Sequence, residues 1–148
     1  MSILEALPKF PILLVEDNPD DIMITKRAFA KGRILNRLYV VQNGEDAIDF
    51  LRKRGKFIDV PTPTLVLLDL NMPKVTGFDV LEQIKGDKEL KSIPIVVLTS
   101  SERDKDIEEA YKRGCNSYIV KPVNFENFIK TVIEIKEYWL SISRVPVR

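Results

Sequence analysis

Five short runs of Ile, Leu and Val recur along the chain, at 11–15, 38–42, 65–68, 95–98 and 117–120. Their hydrophobicity is near-continuous rather than alternating, which suits strands buried on both faces of a parallel sheet. Between them lie stretches with apolar residues at helical spacing. The first opens at Asn18-Pro19, a side-chain cap followed by proline at the first helical position, and turns Ile22, Ala28 and Phe29 inward. The second covers 45–54, with Ala47, Ile48 and Leu51 on one face. The third covers 78–85, and the fourth covers 104–113 and is closed by Gly114. The last runs over 124–142. The segment 54–63, with Pro61 and Pro63, reads as a loop.

Strand and helix therefore alternate five times, with no repeat and no linker. That order predicts an α/β fold: a doubly wound, flavodoxin-like five-stranded parallel sheet of order 2-1-3-4-5 with five helices. One domain is expected over 9–142, with 1–8 and 143–148 as short terminal extensions. The length of 148 residues suits a single core.

Composition removes whole classes of function. The chain has no histidine. Ser-His-Asp and Cys-His catalysis are excluded with it, as is a histidine-ligated metal. Net charge is +1, so no global field draws the protein to nucleic acid or to an anionic membrane. No apolar run reaches the roughly 18 residues of a membrane span. Residues 1–10 carry Glu5 and Pro8 and lack the basic start and long apolar stretch of a signal peptide. The one cysteine, Cys115, allows no disulfide within the chain, and a cytoplasmic setting is expected.

In such a sheet, ligands bind beyond the carboxyl ends of the strands, where strand order reverses. The first strand ends in Glu16-Asp17, the third in Asp69, the fourth in Thr99-Ser100 and the fifth in Lys121-Pro122. The second ends in Asn43-Gly44, which carries no comparable chemistry. The order 2-1-3-4-5 makes the four reactive endings neighbours. Three clustered carboxylates repel one another, and a divalent cation with the Lys121 ammonium would balance them. Oxygen ligands suit Mg²⁺. A carboxylate that becomes an aspartyl phosphate is an established nucleophile, and a lysine and a hydroxyl suit the oxygens of the transferred group. Taken singly, each residue has an ordinary role as a helix-start acid, turn residue, loop hydroxyl or solvated lysine. Their joint occurrence at four adjacent strand ends does not.

Over nearly its whole length the chain resembles the receiver domains of two-component response regulators. The residues that carry the likeness are Leu14-Val15-Glu16-Asp17-Asn18, Leu67-Leu68-Asp69-Leu70-Asn71-Met72-Pro73 with Gly77, Leu98-Thr99-Ser100 and Tyr118-Ile119-Val120-Lys121-Pro122. The resemblance implies that Asp69 accepts phosphate from a histidine kinase or phosphorelay protein. It implies Mg²⁺ held by Asp17, Asp69 and the main-chain oxygen of Asn71, with Glu16 acting through water. Thr99 and Lys121 would receive the phosphoryl oxygens. Thr99 and Tyr118 would form the switch, with Tyr118 as its rotating aromatic. It also implies a cis Lys121-Pro122 peptide. A narrower likeness, in Asn18-Pro19-Asp20-Asp21, the proline-bearing loop before Leu65 and Tyr138-Trp139, is to standalone regulators partnered with bacterial phytochromes and similar hybrid kinases.

Rival readings have less support. An aspartate-nucleophile phosphatase needs an acid two residues after the nucleophile, where this chain has Asn71. A flavin or nucleotide carrier needs a glycine-rich phosphate cradle, and the turn after the first strand is acidic. A DNA-binding regulator needs an effector domain, and only 143–148 follow the last helix. A receiver without phosphorylation would not be expected to keep the full acidic and basic set. The signalling output is therefore expected to be protein–protein. In the last helix, Phe125, Phe128, Val132, Ile135, Trp139 and Ile142 follow a three-four spacing, with Ile129, Ile133 and Leu140 beside them. That apolar surplus suits either a cover for Ile3, Leu4 and Leu7 or a homodimer through the last strand and helix. Phe128 and Trp139 are the expected anchors of the dimer.

Overall fold

The computed structural model describes residues 10–142. The expected terminal extensions, and the alternative in which Ile3, Leu4 and Leu7 cover the last helix, lie outside the described residues, as does the side chain of Ile142. The elements in order are β1 Ile12–Val15, α1 Pro19–Lys31, β2 Leu38–Val41, α2 Gly44–Leu51, β3 Leu65–Leu68, α3 Gly77–Lys85, β4 Ile95–Thr99, α4 Asp104–Lys112, β5 Ser117–Val120 and α5 Phe125–Lys136. The sheet order is β2-β1-β3-β4-β5, and every pairing is parallel. The predicted architecture is the observed one.

Alternate residues of each strand point to opposite faces, and helices cover both. On one face Leu13, Val15, Val66, Leu68, Ile95 and Val97 meet Ala47 and Ile48 of α2 and Leu81 and Ile84 of α3. On the other, Ile12, Leu14, Leu65, Leu67, Val96 and Leu98 meet Ala28 and Phe29 of α1 and Phe128, Val132 and Ile135 of α5. This double cover is why the strands are apolar without alternation. Each fully buried Leu, Ile or Val contributes about 1.5–3 kcal/mol. The edge strands are less covered: all of β5 is half-buried, as are the first three residues of β2.

Helix starts follow their sequence signals. The Asn18 side chain accepts from the amides of Asp20 and Asp21 at 2.9 and 3.1 Å. Thr76 and Asp79 cap α3 reciprocally. Gly114, at φ 104°, ends the turn after α4.

The last helix reaches Ile142 as expected, with one refinement, and two other expectations are corrected. The last helix is not uniform: after Lys136 it widens into a π-helical stretch, Glu137–Ile142. In that winding hydrogen bonds run between residues five apart, and Trp139 and Leu140 both pack on the second core. Phe128 does not lie on an outer surface. It is 4% exposed, because it shares the inward stripe of α5 with Val132 and Ile135. Finally, the described residues contain no cis peptide, so Lys121-Pro122 is trans. Trans is the intrinsically favoured isomer by about 0.5–1 kcal/mol even before proline.

The start of α3 rests directly on the end of β3. The Gly77 amide donates to the Leu70 carbonyl at 3.2 Å. A methyl group at Gly77 would lie 2.3 Å from the Asp69 carbonyl oxygen and 2.6 Å from the Leu70 Cα. These are backbone atoms and cannot swing aside. Gly77→Ala is therefore expected to lose about 1–3 kcal/mol in urea unfolding, the usual cost of overpacking, and to shift the Asp69 amide resonance. Wild-type stability in this variant would show that the contact yields freely.

Candidate functional site

The parallel ladder carries the reactive residues one position past their strands. The Glu16 amide donates to the Val41 carbonyl, the Asp69 amide to that of Val15 and the Lys121 amide to that of Thr99, at 3.1, 3.0 and 2.8 Å. Backbone bonds thus fix where these side chains begin. Carboxylate oxygens of Glu16, Asp17 and Asp69 all lie within 4.8 Å of one another. Glu16 and Asp69 are buried and Asp17 is half-buried.

The Lys121 ammonium enters this acidic group. It donates to Glu16 Oε1 and to Asp21 Oδ2 at 3.2 Å. The second Glu16 oxygen accepts from the Asn18 amide at 3.3 Å. Burial pushes the Glu16 carboxyl up to about 7, with help from the Asp69 charge, while the hydrogen bond and charge of Lys121 pull it down. Burial pulls the Lys121 ammonium down, but Glu16, Asp69 and Asp21 together outweigh it and hold it above the usual lysine value. The Glu16 shift thus follows first from burial, and the Lys121 shift from a pocket in which acidic groups outnumber the ammonium. Three convergent carboxylates short of positive charge suit a hard, oxygen-ligated cation.

Thr99, at the end of β4, is fully buried. Its Oγ1 accepts from Asn71 Nδ2 at 3.4 Å, so the loop after β3 is joined to the end of β4. Tyr118, in β5, donates its hydroxyl to the Ser101 carbonyl at 3.0 Å, and its amide donates to the Tyr111 hydroxyl at 3.1 Å. The Ser101 hydroxyl donates to Asp106, which also takes the Arg103 guanidinium at 3.0 Å. The Ser101 hydrogen bond holds the Asp106 carboxyl below its ordinary value against its burial, with Arg103 assisting.

The structure thus brings Glu16, Asp17, Asp69, Asn71, Thr99 and Lys121 together at one end of the sheet, with Tyr118 tied to the adjoining loop. Phe128 and Trp139 lie elsewhere: Phe128 is in the core, and Trp139 is half-buried near the end of the chain. Sequence reasoning assigned no contact to Asp21 or Ser101. Asp21 is 100 residues from Lys121, and only the docking of α1 beside the end of β5 reveals the pair.

The response regulator receiver domain family matches residues 12–133. The chain belongs to the response regulator receivers. The receiver is 46% identical over 148 residues to the probable methanogenesis regulatory protein FilR2 of Methanothrix harundinacea, covering 98% of this chain and 93% of the relative. It is 37% identical over 142 residues to response regulator Rcp1 of Synechocystis sp., covering 96% and 97%. Among solved structures, the phosphorylated cyanobacterial phytochrome response regulator RcpA superposes with a TM-score of 0.87 at 39% identity, covering 93% of this chain and 98% of that one. The Mn²⁺-bound form of Rcp1 superposes with a TM-score of 0.84 at 36% identity, covering 93% and 99%. Phytochrome response regulators are thus among the receiver's relatives, as the narrower resemblance implied. Among the described residues, no helix is long and apolar enough to cross a membrane.

Proposed function

We propose that the receiver takes a phosphoryl group onto Asp69 from a histidine kinase or phosphorelay protein, in a Mg²⁺-dependent step, and so switches a protein-binding surface. The observation that carries this reading is the convergence of Asp69 with Glu16, Asp17 and the Lys121 ammonium in one charge-deficient pocket. An Asp69 carboxylate oxygen attacks the phosphorus of a phosphohistidine in line. The new P–O bond forms as the P–N bond breaks, and the leaving imidazole keeps the electron pair and takes a proton from water. Asp17, Asp69 and the main-chain oxygen of Asn71 would hold Mg²⁺, with Glu16 acting through water. When bound, the ion offsets charge on the phosphoryl oxygens. The Thr99 hydroxyl and Lys121 ammonium receive those oxygens. Tyr118, linked through Ser101 to the loop after Thr99, carries the change to the outer surface. The protein acts as a phosphoacceptor, turning over only through slow loss of its own phosphate.

Rcp1 supports the metal reading as a Mn²⁺-bound relative, since Mn²⁺ and Mg²⁺ both favour octahedral oxygen ligands. The donor is a phosphohistidine, on a histidine kinase such as a bacteriophytochrome or hybrid kinase or on a phosphorelay protein. RcpA is named for phytochrome signalling and FilR2 for methanogenesis, and the donor chemistry is independent of the signal. The setting proposed is cytoplasmic.

Asp69→Asn should abolish phosphate incorporation from acetyl phosphate, and EDTA should do the same to the wild type. Label retained in either case would refute the assignment.

We further propose a homodimer through β5 and the end of the last helix. Tyr138 is 55% exposed and stacks edge-on with Trp139 at 4.9 Å. Both border a cavity of about 400 Å³ beside Ser117 and Ile119 of β5. A half-buried edge strand next to two aromatics is suited to pairing with a second copy. Sedimentation across a concentration series should show a dimer weakened by Trp139→Ala. A monomer at every concentration, with and without a phosphoryl mimic, would leave the aromatics as core cover.

A further inference from the structure

The Lys121 ammonium has two carboxylate partners that differ in kind. Glu16 is buried and belongs to the cluster of converging carboxylates. Asp21 does not belong to that cluster. It approaches from the first turn of α1, 3.2 Å from Nζ, with 38% of its side chain exposed. The helix end that aims it is held independently, by the Asn18 side chain on the Asp20 and Asp21 amides and by Thr25 Oγ1 on the Asp21 carbonyl at 2.8 Å. Among the described residues, Lys121 is the one hydrogen-bond partner of the Asp21 carboxylate. The helix does not need this contact in order to form, yet the contact restrains the lysine.

The geometry points to Asp21 as a positioning residue that competes with the phosphoryl group for Lys121. While Asp69 is free, Asp21 and Glu16 share the ammonium. When a phosphoryl group forms on Asp69, Asp21 releases it. This inference rests on the proposed phosphoacceptor role of Asp69. A phosphoryl group brings a charge of about −1.5 to −2 and three acceptor oxygens. A half-exposed carboxylate, screened by water, holds the ammonium more weakly than that. The release has a place to act. Asp21 and Lys121 stand together on the wall of a groove of about 430 Å³ that also includes Ile24, Arg27, Val123 and Phe125. Breaking the pair frees α1 from the end of β5 at that groove.

The test is beryllofluoride binding in saturating Mg²⁺, followed by amide NMR. Asp21→Asn keeps the side chain's shape and removes its charge. It is expected to bind beryllofluoride about two- to fivefold more tightly than the wild type, the range for losing an ion pair of this exposure. Asp21→Glu is expected to return towards wild-type affinity. In a Lys121→Met background, Asp21→Asn is expected to change nothing, because the effect acts through the lysine. Equal tightening in both backgrounds would mean simple charge repulsion and would overturn the proposal. An unchanged affinity with a lowered unfolding midpoint would mean a purely structural role and would also overturn it. The Lys121 side-chain resonances, read without beryllofluoride, give an independent measure: they should move in Asp21→Asn, and their failure to move would refute the contact. A wild type that binds no beryllofluoride would bring down the phosphoacceptor reading as well, whereas wild-type binding with an inert Asp21 brings down this inference alone.

Discussion

The arrangement of this end of the sheet follows from one electrostatic problem. Carboxylate oxygens of Glu16, Asp17 and Asp69 lie within 4.8 Å of one another, and two of these side chains are buried. Burying like charges together is costly, and the group responds by resisting ionisation. Glu16 shows this directly, its carboxyl pushed up to about 7 by burial first and by Asp69 thereafter. Among the described residues, Lys121 supplies the one ammonium in contact with the group, and it is held charged by it. Breaking such a pair from one side leaves an uncompensated charge, typically at about 3–5 kcal/mol. The remaining deficit of positive charge is what makes the pocket receptive to a cation.

The fold tolerates this concentration of charge because the strands that deliver it are anchored by their interiors. β1 and β3 lie at the centre of the sheet, and all eight of their residues are buried. The ladders that join β1 to β2 and to β3 fix the starting points of Glu16 and Asp69 through backbone bonds that repulsion between side chains does not reach. α3 is then set against the end of β3 at Gly77, where no side chain fits. The edge of the sheet is built differently. β5 is half-buried along its length, and its Tyr118, packed at the margin of the first core, is restrained by hydrogen bonds to the Ser101 carbonyl and to the Tyr111 hydroxyl of α4. The rigid centre thus carries the proposed phosphoacceptor, while the looser edge carries the residue proposed to transmit the change.

Most of this was legible in the sequence. Apolar runs without alternation mark strands covered on both sides, and the strand order then places Glu16, Asp69, Thr99 and Lys121 side by side. Asn18-Pro19 marks the start of α1 by its own local chemistry. What escaped depends on contacts without a local signature. Asp21 reads as a helix-start acid, and only the packing of α1 against the end of β5 gives it Lys121. Phe128 and Trp139 share one helical stripe in the sequence, but the core takes Phe128, and the widened winding after Lys136 sets the surroundings of Trp139. The isomer of Lys121-Pro122 was carried over from the family resemblance, and the structure has the other form.

Phosphorylation of Asp69 is tested most directly by locating the acyl phosphate chemically. The protein is phosphorylated with a small donor in Mg²⁺, reduced with borohydride and mapped by mass spectrometry, since borohydride converts an aspartyl phosphate to homoserine. Homoserine is expected at position 69 and at no other aspartate. Homoserine at position 17 or 21, or none anywhere, would contradict it.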